Sequence, residues 1–135
     1  MKLIYKRFKT LFCALGLLCL GQVWASDWVS VGMSDSAVYG IDRSSIEKDG
    51  HIRLVWSMLD YRQPQKNSLG KTFLSSRMLI EIDCQQKTGR SRSLAIYTGA
   101  HLSGDMLTSE GVIAQWQAIP RSSPVFTIMR HVCAI

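Results

Sequence analysis

The stretch Met78-Leu-Ile-Glu-Ile-Asp-Cys-Gln-Gln-Lys87 alternates apolar and charged residues and then reaches a cysteine. Alternation at period two marks a strand with one face turned to a core. It sets Met78, Ile80, Ile82 and Cys84 on one side, with Arg77, Glu81 and Asp83 on the other. Cys84 therefore points into an apolar layer, and three roles are open to it: nucleophile, metal ligand or disulfide partner.

The beginning of the chain narrows that choice. Residues 1–9, MKLIYKRFK, carry four basic side chains and no acidic one, and the apolar run Leu11 to Leu20 follows. That pattern, with small side chains at Val23 and Ala25, reads as a secretory signal peptide over residues 1–25, cut between Ala25 and Ser26. The apolar run is too short for a membrane span, which needs roughly 20 such residues. Neither Cys13, after Phe12, nor Cys19, after Leu18, sits in a lipid-attachment context. The expected mature chain, 26–135, is thus exported, periplasmic or secreted. It has no lipid anchor and no membrane span, although association with the outer-membrane surface stays open.

Cleavage changes the arithmetic of charge and thiols. The formal +6 includes Lys2, Lys6, Arg7 and Lys9; without them 12 basic residues face 10 acidic ones, a net +2. Nucleic-acid binding loses its main support. Of four cysteines only Cys84 and Cys133 remain, in an oxidising compartment. A mature length of 110 residues suits one domain with one core.

Around Met78–Lys87 the pattern repeats. Period-two apolar runs predict strands at Trp28–Met33, Ala37–Asp42, His51–Tyr61, Thr72–Gln86, Arg90–Tyr97 and Gly111–Ala118. Turns fall at Ser34-Asp35, Asp49-Gly50, Asn67 to Gly70, Thr88-Gly89 and Ser103-Gly104. In the third strand Ile52, Leu54, Trp56 and Met58 share one face, and Val55 and Leu59 share the other with His51, Arg53 and Ser57; one face is expected to be core and the other only partly wet. One helix is expected, capped by Ser123 with Pro124 in its first turn; Val125, Ile128, Met129 and Val132 form its apolar stripe. The fold class is therefore α+β: a small antiparallel meander of about six strands with a C-terminal helix packed on one face.

A nucleophilic Cys84 would need a lowered thiol pKa, whereas its apolar neighbours raise one. A disulfide to Cys133 uses both remaining thiols, suits the compartment and ties helix to sheet. Closing a 49-residue separation is worth roughly 4 kcal/mol in the chain-entropy model. His51, His101 and His131 are isolated from one another and from any Cys-x-x-Cys pair, so no metal or other cofactor is expected. The five mature methionines are scattered and read as gap-fillers. Leu69-Gly-Lys-Thr72 imitates the end of a phosphate loop, but position 65, where its first glycine belongs, is Gln65. Asp60, Glu81 and Asp83 read as solvated carboxylates rather than an acid–base pair. That leaves Lys87-Thr-Gly-Arg-Ser-Arg92, a hairpin tip whose Lys87, Arg90 and Arg92 are the candidate contacts for an anionic partner. No catalytic residue is assigned.

Taken in order, D27-W-V-S-V-G32, V38-Y-G-I-D42 with S45-I46, V55-W-S-M-L-D-Y61 with Q63-P-Q-K66, S75-S76, E81-I-D-C84, G111-V with W116, and V132-C133 resemble the surface-adhesin protein E family of Gram-negative bacteria. The resemblance covers nearly the whole mature chain. It implies a small antiparallel sheet with a C-terminal helix joined by a disulfide. It also implies a non-enzymatic envelope protein with a protein partner, either a host matrix or serum protein. The alternative is a soluble periplasmic protein that binds a ligand or inhibits an envelope partner.

Overall fold

The computed structural model describes residues 25–112 and 114–135. The expected signal peptide lies outside these apart from Ala25. The elements are β1 (Trp28–Met33), β2 (Ala37–Asp42), a 3-10 turn (Arg43–Ser45), β3 (Glu47–Asp49), β4 (Ile52–Lys66), β5 (Thr72–Asp83), β6 (Thr88–Tyr97), β7 (Met106–Gly111), β8 (Gln117–Ala118) and α1 (Pro124–Val132). All strands form one antiparallel sheet in the order β1-β2-β4-β5-β6-β7.

The two remaining strands extend neighbours already present. β2 pairs with Ser57–Tyr61 of β4 and β3 with Ile52–Leu54, so β3 prolongs the same ribbon beyond the 3-10 turn. β8 likewise pairs with Thr88 and Gly89 at the far end of β6 from β7. The meander is therefore six ribbons, two of them interrupted. β3 is Glu-Lys-Asp and carries no apolar alternation, which hid it from periodicity. The strand expected at Gly111–Ala118 is corrected to β7 and β8: Val112 and Ala114 still donate to the carbonyls of Arg92 and Ser91, but Ala114 to Trp116 lie outside any strand.

Turn chemistry sets the ribbon lengths. The Asn67 side chain accepts from the N–H groups of Leu69 and Lys71, and Gly70 takes the left-handed φ of +72° that closes the β4–β5 hairpin. At the β5–β6 hairpin the Asp83 carboxylate accepts from Gln85 and Gln86. That Asx turn occupies Cys84 to Lys87, with Lys87 at φ 55°. The expected turn at Thr88-Gly89 is thus corrected, because the side chain of Asp83 ends β5 three residues earlier than the alternation suggested.

The core lies between the sheet and α1. Ile41 of β2, Val55 of β4 and Ile80 and Ile82 of β5 meet Ile128, Met129 and Val132 of the helix, all buried. Each fully buried aliphatic side chain contributes on the order of 2 kcal/mol. Ser123 caps α1 by accepting from Phe126, and Pro124 occupies its first turn. At the other end Arg53 Nε donates to the carbonyl of Val132, placing a cation where the helix dipole is negative. Cys84 and Cys133 are disulfide-bonded with Cα atoms 5.7 Å apart, so the staple reading holds.

Candidate functional site

The helix covers one face of the sheet, and among the described residues no element covers the other. Along β4 the odd and even residues divide: Val55 and Ser57 go under the helix, while Ile52, Leu54, Trp56 and Met58 stand on the open face. β5 adds Arg77, Leu79 and Glu81 to that face. These side chains are half-buried by one another. Two shallow depressions lie along it. One, of about 500 Å³, is bounded by β3, Ile52, Leu54, Leu79, Glu81 and Arg92; the other, of about 400 Å³, by Trp28, Val38, Met58, Asp60, His101 and Leu102.

Between them sits a pair that no local signal announces. Trp56 is opposite Leu79, and Met58 opposite Arg77, so Trp56 and Arg77 are diagonal neighbours across the ladder. The Arg77 guanidinium rests 4.7 Å from the centre of the Trp56 ring. Its Nε is shielded from solvent and has no hydrogen-bond partner among the described residues. The two residues are 21 positions apart, and only the β4–β5 register brings them together.

The cations expected at a hairpin tip are arranged differently. Lys87 lies in the turn beside Cys84, Cys133 and Arg130. Arg90 and Arg92 belong to β6, where the Nε of Arg90 and the Nη1 of Arg92 approach the same oxygen, Glu81 Oε2, at 2.8 and 2.7 Å. Their common tip is therefore corrected, because the turn ends at Lys87 and the strand resumes at Thr88. Arg92 is the extra residue of a β-bulge, since Ile80 pairs with Ser91 and Leu79 with Ser93. Arg90 also stacks on Trp116, 4.6 Å from its ring centre.

The hydrogen bond from Arg90 holds the Glu81 carboxyl below its ordinary range, against the upward push of burial and with further help from Arg92. Asp60 accepts from the backbone of His101 and lies 2.7 Å from its Nδ1; Asp83 is 3.6 Å from His51 Nε2. Each of the three carboxylates thus serves a local partner. The 98–105 loop that brings His101 to Asp60 is held by Ser75, which donates to the Gly99 carbonyl and accepts from Leu102 N–H. His101 and Leu102 both take left-handed φ values, 54° and 59°. Among the described residues no group of three or more potential metal ligands gathers.

A family model described as surface-adhesin protein E matches residues 28–134. The fold is similar to that of Haemophilus influenzae protein E, with a TM-score of 0.61 at 14% identity over 82% of this chain and 86% of that one. A structure of protein E from non-typeable Haemophilus influenzae gives 0.59 at 14% identity, over 82% and 77%. At this identity the likeness is one of fold. No curated protein matches the chain.

Proposed function

Because the chain belongs to the surface-adhesin protein E family, we propose that it is an exported, non-enzymatic binding module of the bacterial envelope that engages host matrix or serum proteins. The family match, which spans β1 to the end of α1 and its terminal cysteine, carries this reading. A sheet face left open beside a disulfide-tied core supports it: the staple suits an oxidising compartment, and the open face offers area for a partner. In this reading the domain is residues 26–135, released after cleavage of residues 1–25.

The three cations divide their work accordingly. Arg90 and Arg92 are engaged by Glu81, whereas Lys87 has no ion pair among the described residues and is the cation of the three available for an anionic contact. The test has two arms. Protease shaving of intact and permeabilised cells asks where the protein is, and a panel of immobilised extracellular-matrix and serum proteins asks what it holds. Cleavage on intact cells together with saturable binding to a panel member is expected. Protection until permeabilisation would replace this reading with that of a periplasmic ligand-binding or inhibitory protein.

A further inference from the structure

We propose that the open sheet face centred on Arg77 and Trp56 is the docking surface for an extended segment of a partner protein whose sheet-facing side chains, at every second position, are apolar with one acidic residue among them, its carboxylate pairing with Arg77. The proposal rests on the binding-module reading above and names the chemistry of its partner.

Three observations converge on this occupant. The first is shape. The two depressions lie at opposite ends of the stripe from Ile52 to Met58, a distance of roughly 20 Å at the rise of a strand. Both are shallow and open along one line, which suits about six residues of extended chain better than an enclosed small molecule.

The second is composition. Ile52, Leu54, Trp56, Met58 and Leu79 give a continuous apolar floor, half-buried and without a covering element among the described residues. A facing strand presents side chains on one side at every second position, so its apolar side chains can meet this floor in register.

The third is charge. Arg77 stands in the middle of that floor with no ion pair among the described residues, and its Nε has no acceptor among them. Trp56 holds the guanidinium plane. A pre-set fork of donors in an apolar setting is matched by a carboxylate, which accepts in two parallel bonds. Beside it Arg90 and Arg92 share the single charge of Glu81, so the centre of the face stays cationic. The β3 rim has the opposite balance, Glu47 and Asp49 against Lys48, and disfavours an acidic residue at that end. The acidic position of the segment therefore falls opposite Arg77 and not at the Ile52 end.

The experiment uses the exported protein purified with its disulfide formed, labelled with ¹⁵N, and three synthetic hexapeptides with blocked ends, Leu-Ser-Glu-Ser-Leu-Ser and its Gln and Lys counterparts at the third position, in which the first, third and fifth side chains share the face turned to the sheet. Titration is followed at the Trp56 indole N–H, the Arg77 Nε–H and the backbone amides. Shifts concentrated on β4 and β5 are expected, with the Glu peptide binding at least tenfold tighter than the Gln peptide and the Lys peptide weakest. Arg77→Gln removes the Glu-over-Gln preference while leaving Gln-peptide affinity within twofold, and Arg77→Lys restores part of it; an unchanged amide spectrum away from residue 77 confirms that both variants fold.

Equal binding of the Glu and Gln peptides, shifts centred on α1 or on the β1 and β7 edges, or a preference that survives Arg77→Gln would each overturn the proposal. So would sedimentation showing that a second copy of the chain occupies this face. The two readings can fail separately. If a matrix or serum protein binds wild type and Arg77→Gln equally, the docking surface is elsewhere and the binding module stands. If the peptide preference holds but no panel member binds, the face is real and its partner is not a host protein.

Discussion

Glu81 illustrates how single residues tie this sheet together. One carboxylate oxygen accepts from Arg90 and from the bulged Arg92, so β5 and β6 are clamped at the side chains as well as at the backbone. The hydrogen bond from Arg90 lowers the Glu81 pKa most, burial opposes it and Arg92 adds to it, for a net value below the ordinary one. A depressed acid pKa stabilises the fold fully above the unfolded value and loses that contribution as pH falls through the folded one. Asp42 behaves alike: burial alone would raise its carboxyl, but hydrogen bonds from Ser44 and the Asp27 N–H prevail and lower it. Urea midpoints are therefore expected to be level from neutral pH to about pH 5 and to fall below the ordinary carboxylate range, near 4.3. Glu81→Gln should cost about 2 kcal/mol at pH 7 and shows a shallower acid limb, so that the two curves converge at low pH. Parallel curves for the two proteins would contradict the assignment.

At the scale of elements the weakest piece is α1, nine residues long and below the length at which an isolated helix is stable. Its place depends on the buried stripe, the Ser123 cap, Arg53 at its C-terminus and the Cys84–Cys133 bond. Replacing both cysteines by serine is expected to remove roughly 4 kcal/mol, from the 49-residue separation the bond closes, and to expose α1 amides to hydrogen exchange before those of β4 and β5. Gly32 offers a second handle. A Cβ there would meet Thr127 Cγ2 at 2.7 Å and Tyr39 Cδ2 at 3.4 Å, because β1 and α1 touch at this point. Gly32→Val should destabilise by about 2 kcal/mol, and Thr127→Ser should recover part of the loss by removing that methyl group, as read by thermal unfolding. The spacing of apolar residues in Pro124–Val132 announced the helix, whereas its contact with β1 depends on the close approach that Gly32 permits.

For the molecule as a whole, two faces of one sheet have unequal fates. The helix face is closed; the open face keeps an arginine that has no ion pair among the described residues and is set among apolar side chains, an arrangement that costs stability and persists only if something else favours it. Arg77→Met is accordingly expected to raise the thermal midpoint by about 4 °C, since the thioether packs on Trp56 without a charge to desolvate, while weakening capture of the partner. A lowered midpoint would mean that the guanidinium is structural. Much of this was legible in the chain. Period-two alternation placed five of the six ribbons, Ser123-Pro124 the start of the helix, and the pairing of Cys84 with Cys133 the staple, because each is a local or compositional signal. What only the tertiary structure decided is pairing across distance. The Asp83 turn took Lys87 away from Arg90 and Arg92; the bulge at Arg92 gave both arginines to Glu81; and the β4–β5 register set Arg77 on Trp56. Alternation states which face a residue takes, but not which residue stands opposite, and the Arg77–Trp56 pair on the open face arises from that second choice.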